Sequence, residues 1–126
     1  MIGDTMLNLN SIMLGSENPK ALAEFYEKVL EKKPDMVDGE WSGFSAGSCY
    51  LSMGPHDQVK GQANQPERIM FTFETKAVDA EFNRLKEAGA SVIKAPYHMG
   101  DNEEFTIATL ADPDGNFFQL MSPWED

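Results

Sequence analysis

The sequence predicts an α+β fold of two similar modules, each a strand, a helix and three further strands, within a single domain over residues 1–126. Three observations point there. Two helical apolar patterns each follow a short strand-like run. Each is followed in turn by short alternating segments bounded by Gly, Pro and Asp. The halves also repeat: Ser11-Ile12-Met13-Leu14 matches Arg68-Ile69-Met70-Phe71 at an offset of 57, and Leu22/Tyr26/Val29 matches Val78/Phe82/Leu85 at an offset of 56. Neither copy can bury a helix face and both faces of a sheet by itself, so the two should pack as a pair around a shared concave surface. Module one is expected over about 6–54 and module two over about 67–123.

Leu7 to Leu14, closed by Gly15, reads as the first strand. Asn18-Pro19 opens a helix, since the Asn oxygen can accept a free backbone N–H and Pro at the first helical position loses no hydrogen bond. Leu22, Phe25, Tyr26, Val29 and Leu30 form its apolar stripe, and Lys33-Pro34 ends the pattern. Trp41–Ala46 and Ser48–Met53 read as a hairpin split at Gly47, and Pro55–Pro66 as a polar connector. The second module starts with a strand over Arg68–Phe73, then a Thr75-capped helix carrying Val78, Phe82 and Leu85 and closed at Gly89. Strands follow at about Ser91–Ala95 and Phe105–Ala111. The Asp112-Pro113-Asp114-Gly115 turn then leads into a last strand over Asn116–Met121.

Composition narrows the partners. The 126 residues carry a net charge of −11, which repels phosphate backbones and anionic headgroups, so neither nucleic acid nor a membrane surface is expected as a partner. A cationic small molecule is compatible. Cys49 is the sole cysteine, the N-terminal residues lack the pattern of a signal peptide, and no apolar run approaches a membrane span. A soluble, cytoplasmic protein is the expectation.

The chemistry-bearing residues are sparse. The two histidines are His56, in the connector, and His98, before Gly100, with no His-x-His, His-Glu-x-x-His or Cys-x-x-Cys spacing and no glycine-rich phosphate loop. Glu103 and Glu104 follow His98, but adjacent residues on a strand point to opposite faces. Cys49 has no basic neighbour and reads as a small buried hydrophobe.

Three segments together, Asn18–Leu30, the Leu85–Gly89 helix end and Leu110–Leu120 with its Asp-Pro-Asp-Gly-Asn turn, resemble the vicinal oxygen chelate superfamily over nearly the whole chain. That group includes glyoxalase I, extradiol dioxygenases, fosfomycin-resistance transferases and bleomycin-resistance binding proteins. The resemblance implies paired βαβββ modules whose mixed sheets curl into a cup with the helices outside, in a homodimer. Metalloenzymes of the superfamily place His, Glu or Gln at the starts of the first strands and near the ends of the last. Carried over by position, those sites fall on Ser11, Arg68, Gln119 and either Leu51 or Ser52. Of these only Gln119 is a metal ligand, and a weak one, while a guanidinium would repel a cation.

Strand parity sketches the cup. If Gln119 faces inward, so do Phe117 and Met121, with Phe118 and Leu120 toward the helices; Ser11 and Met13, and Arg68 and Met70, face inward likewise. Leu51 or Met53 would add to a Met- and Phe-rich wall, with Trp41 as a stacking residue at the rim. The sequence thus points to a metal-independent protein binding a small aromatic or cationic compound, an antibiotic among the options, with no cofactor and with Arg68 and Gln119 orienting the guest. The alternative is a metal-dependent lyase, isomerase or dioxygenase whose divalent ion is held by atypical ligands such as His98, Glu103 or Gln119.

Overall fold

The computed structural model describes residues 6–123, apart from the side chains of residues 99 and 102–104. Strand β1 (Ser11–Ser16) runs into helix α1 (Pro19–Leu30) through a local relay of hydrogen bonds. The buried Ser16 hydroxyl accepts from Asn18 N at 2.9 Å, and the Asn18 side chain accepts from Ala21 N at 3.4 Å. Helix α1 ends at Glu31 in the left-handed conformation, before the Lys33-Pro34 pair. A short strand β2 (Met36–Asp38), which the sequence pattern did not reveal, precedes the expected hairpin β3 (Trp41–Ala46) and β4 (Cys49–Pro55). Its three residues are too few for an alternation to register.

In the second module β5 is shorter than the repeat suggested. It spans Phe71–Glu74, so Arg68 lies in a turn ahead of the strand. Helix α2 (Val78–Glu87) starts after Ala77, and the Thr75 hydroxyl accepts from Ala77 N at 3.1 Å rather than capping the helix. Strands β6 (Ser91–Met99), β7 (Asn102–Ala111) and β8 (Phe117–Met121) complete the module.

The strands form two four-stranded mixed sheets, ordered β1-β4-β3-β2 and β5-β8-β7-β6. In each, the first and last strands of the module pair in parallel and the other pairs are antiparallel. The repeat is therefore one of topology: two copies of one unit, with no closed barrel among the described residues. No described helix is long and apolar enough to cross a membrane.

The modules pair within one chain. Phe118 of β8 is fully buried and its ring meets those of Phe25 and Tyr26 from α1 and of Phe71 and Phe73 from β5, with centroids 5.7–6.2 Å away. Within this apolar layer the Tyr26 hydroxyl donates to Asp112 Oδ2 at 2.7 Å. The same carboxylate accepts from Asp114 N, Asn116 N and Asn116 Nδ2, which shapes the turn between β7 and β8. Burial pushes the Asp112 carboxyl above the usual carboxylate range, against the opposing pull of these hydrogen bonds. Burial, together with the adjacent carboxylate, pushes the Tyr26 hydroxyl well above its ordinary value.

Two further ties cross the modules. The Arg84 guanidinium of α2 donates to the carbonyls of Lys28 and Val29 at 2.8 and 2.9 Å, closing the C-terminal end of α1, while Glu81 holds its other edge at 2.9 Å. The connector is bound down as well: Gly61 N donates to Glu17 Oε1, Gln62 Nε2 to the Pro113 carbonyl and Ala63 N to the Asp114 carbonyl.

Asp112→Ala should lower the unfolding free energy by roughly 2–3 kcal/mol in urea titrations, because it strands the Tyr26 hydroxyl and frees the turn; Tyr26→Phe should cost about 1 kcal/mol. The Arg84 hydrogen bond holds the Glu81 carboxyl below its ordinary range. A lowered folded pKa gives stability that is present above the ordinary glutamate range and is lost as the pH falls through the lowered value. Glu81→Gln should therefore flatten the acid limb of the stability–pH curve, and an unchanged limb would show that Arg84 gains nothing from this partner.

Candidate functional site

Alternation along the strands assigns each side chain to the helix side or the open side of its sheet. On β4, Leu51 and Met53 are 3% and 0% exposed and pack with the Phe44 and α1 core. They pair with Ile12 and Leu14 of β1, which share the helix side. Leu51 and Met53 therefore belong to the core and not to the cup, a correction that follows from one residue of strand parity. The open side of β4 carries Tyr50, Ser52 and Gly54 instead, beside Ser11 and Met13 of β1 and Trp41 and Gly43 of β3.

Arg68 does not reach this surface from within a strand. It is exposed, and its guanidinium donates to its neighbour Gln65 at 2.6 and 3.1 Å in the turn before β5. The open side of the second sheet carries Glu74, paired with Met121, and Lys94, paired with Thr109, besides neutral polar groups. Gln119 of β8 accepts from the Thr72 hydroxyl of β5 at 3.3 Å, and Thr109 of β7 is the cross-strand partner of Gln119. Phe117, Gln119 and Met121 are partly exposed while Phe118 and Leu120 are buried, the alternation that parity predicts.

The two sheets border a common groove, lined by residues in and next to β1 and β5. Its volume is about 710 Å³, with Met13, Leu9 and Gly15 on one wall and Met70, Ile69 and Thr72 on the other. Met13 and Met70, half and two-fifths exposed, come from matching positions of the internal repeat and flank this groove. The surface thus runs from Trp41 and Tyr50, past Ser52 and Met13, across the groove to Met70, Thr72 and Gln119.

Tyr50 was not singled out by the sequence pattern, nor was the aromatic cover on the first sheet. A Cβ placed on Gly43 would lie 2.7 Å from the Tyr50 ring carbons Cε2 and Cζ, and one on Gly54 would collide with the Trp41 indole. Both rings lie down on bare glycine backbone. Trp41, the first residue of β3, covers Gly54 with its indole. The pairing of an aromatic with a cross-strand glycine was the available signal.

The histidines stand apart from Gln119. His98 lies on the edge strand β6, with Nδ1 3.4 Å from the Thr106 hydroxyl, and β7 separates it from β8. Two strand spacings put those backbones about 10 Å apart at their nearest. His56 is exposed, and its Nδ1 accepts from Gln58 N at 3.1 Å. Its Cβ sits by Gly15 at the end of β1, a position the sequence could not assign to the open side. The side chains of Glu103 and Glu104 lie outside the described residues. Among the described residues no three His, Cys, Asp or Glu side chains gather as a metal site. The positions carried over from the metalloenzymes, Ser11, Arg68, Gln119 and Leu51 or Ser52, offer hydroxyls, one amide, an alkyl group and a guanidinium, a poor donor set for a divalent transition metal. These residues do not fit one.

The sequence model of the glyoxalase-like domain family matches residues 11–121. The metallothiol transferase FosB of Shouchella clausii is 25% identical over 114 residues, covering 89% of this chain and 77% of that protein. Among solved structures, a glyoxalase-related enzyme from Fulvimarina pelagi superposes with a TM-score of 0.76 at 17% identity, over 94% of this chain and 89% of that one. A glyoxalase/bleomycin resistance protein/dioxygenase family enzyme from Burkholderia phytofirmans gives 0.75 at 20% identity, over 92% and 98%. At such identities these two show the fold.

The parity assignment has a direct check by thermal unfolding. Met53→Ala should cost about 2–5 kcal/mol as a core truncation, whereas Met13→Ala should cost less than about 1 kcal/mol.

Proposed function

Because the chain belongs to the glyoxalase-like domain family, within the vicinal oxygen chelate superfamily, we propose that it is a binding member: a protein that captures a small, partly aromatic or cationic compound, such as an antibiotic, without a metal. The observation carrying this reading is the chemistry of the open faces. They offer methionine thioethers, two aromatic rings, hydroxyls, one amide and the isolated charges of Glu74 and Lys94, with no cluster of three His, Cys, Asp or Glu side chains among the described residues. Such a lining gains affinity by removing apolar surface from water, at roughly 25 cal/mol per Å² before the costs of association. Methionines adapt to irregular shapes without fixed complementarity.

Orientation falls to the neutral polar groups. The Thr72 hydroxyl donates to Gln119 Oε1, which leaves the Gln119 amide N–H groups to donate to a guest, and Ser52 supplies a hydroxyl from the opposite module. The acidic exterior, at −11, favours the approach of cations. The working form is a homodimer in the cytoplasm. Leu9 and Ile69, 87% and 78% exposed at the border of the groove, form an apolar margin that a second copy would cover. Cys49, a free thiol, suits a reducing compartment.

A second reading is favoured by the likeness to the metallothiol transferase FosB: a metal-dependent transferase or lyase using ligands outside the described side chains, with Glu103 or Glu104 contributing. Elemental analysis separates the two. Untagged protein purified without chelator should hold well below one equivalent of divalent metal per chain, and its affinity for any ligand found should be unchanged by EDTA. One equivalent of bound metal that survives dialysis would overturn the binding reading in favour of the enzyme.

A further inference from the structure

We infer that Tyr50 and Trp41 form a flat, two-ring floor on the open face of the first sheet, which selects planar guests, and that Gly43 and Gly54 set the depth of that floor. The inference rests on the small-molecule binding reading and narrows its ligand class. It starts from register. Tyr50, Ser52 and Gly54 alternate with core residues Leu51 and Met53, so they share the side away from α1. Gly43 pairs with Ser52, and Ser42 with Met53, which puts Trp41 and Gly43 of β3 on the same side.

The glycines explain why the rings lie down. With a side chain at 43, the Tyr50 ring would have to leave the space it now fills, its Cε2 and Cζ being 2.7 Å from that Cβ position. With one at 54, the Trp41 indole would be displaced likewise. Both glycines are buried by the rings, while Tyr50 and Trp41 keep part of their own surface open. An aromatic pressed against backbone on one face presents its other face outward, where offset stacking with a planar guest is favourable. Ser52 sits between the two rings in the strand grid, so a single hydroxyl can fix the guest in the plane. At the near end, His56 Cβ and Val59 Cγ2 stand 3.2 Å from the Cβ position of Gly15 and close the floor. A fused aromatic ring system can lie flat on such a floor, whereas a globular cage touches it over little of its surface. Gly43 and Gly54 act as positioning residues.

The test uses two cationic probes of different shape, the planar tricycle proflavine and the cage amine amantadine, so that attraction to the acidic protein is common to both. Titration calorimetry of the full chain should show proflavine bound roughly tenfold tighter than amantadine, the scale of one or two aromatic contacts. Tyr50→Leu should remove most of that preference, Tyr50→Phe should retain it, and Gly43→Ala should diminish it by lifting the ring. Circular dichroism establishes that each variant is folded, and the Phe variant keeps the test intact if Gly43→Ala does not fold. Equal affinity for the two probes, or a preference unaffected by Tyr50→Leu, would overturn the floor while leaving the binding reading in place. Binding of neither probe, with a full equivalent of bound metal, would overturn both.

Discussion

The Tyr26 hydroxyl and the Asp112 carboxylate meet 2.7 Å apart in a region closed to water, and each belongs to a different module. A buried carboxylate is costly unless its lone pairs are used, and here one group satisfies the helix of the first module and the last turn of the second together. Phe118 follows directly from that turn and carries the aromatic layer that joins α1 to the second sheet. The relative placement of the two open faces, and so the groove between β1 and β5, depends on this joint. Arg84 secures the same helix from its other end through the Lys28 and Val29 carbonyls.

With the helix sides of both sheets committed to the core, what remains for function is the opposite face. Glu74 and Lys94 bring charge to it on the second sheet, while Arg68 is held by Gln65 in a turn and Asp112 is consumed by the joint. Beside them the surface offers serine and threonine hydroxyls and the Gln119 amide, groups that orient a ligand by hydrogen bonds. Apolar flexibility from the methionines on the groove complements aromatic rigidity on the first sheet, two modes of contact set side by side.

Much of this was legible from the residues. Asn18-Pro19 at a helix start, the Leu22/Phe25/Tyr26/Val29 stripe and the Asp-Pro-Asp-Gly turn each encode a local geometry, and each lies where the sequence put it. The alternation of β8 was equally plain, because it runs Phe117 to Met121 without interruption. The site was less legible. The two branches considered for the first module's last strand, Leu51 or Ser52, differ by one residue and therefore by the whole sheet thickness; Ser52 is on the open face and Leu51 in the core. Arg68 was aligned with Ser11 by the repeat, but the second module starts its strand at Phe71, and an offset from sequence does not fix where a ladder begins.

By itself the sequence determined both helices, most of the strands and the repeated order of the modules, since hydrophobic period, caps and turn residues act over a few positions, while the three-residue β2 left no such pattern. The tertiary structure alone decided that the modules pair within one chain through Tyr26 and Asp112, residues 86 positions apart. It alone decided that the rings of Tyr50 and Trp41 rest on Gly43 and Gly54. Register between strands and the lie of a side chain across them are set by contacts distant in sequence, and no local pattern carries that information.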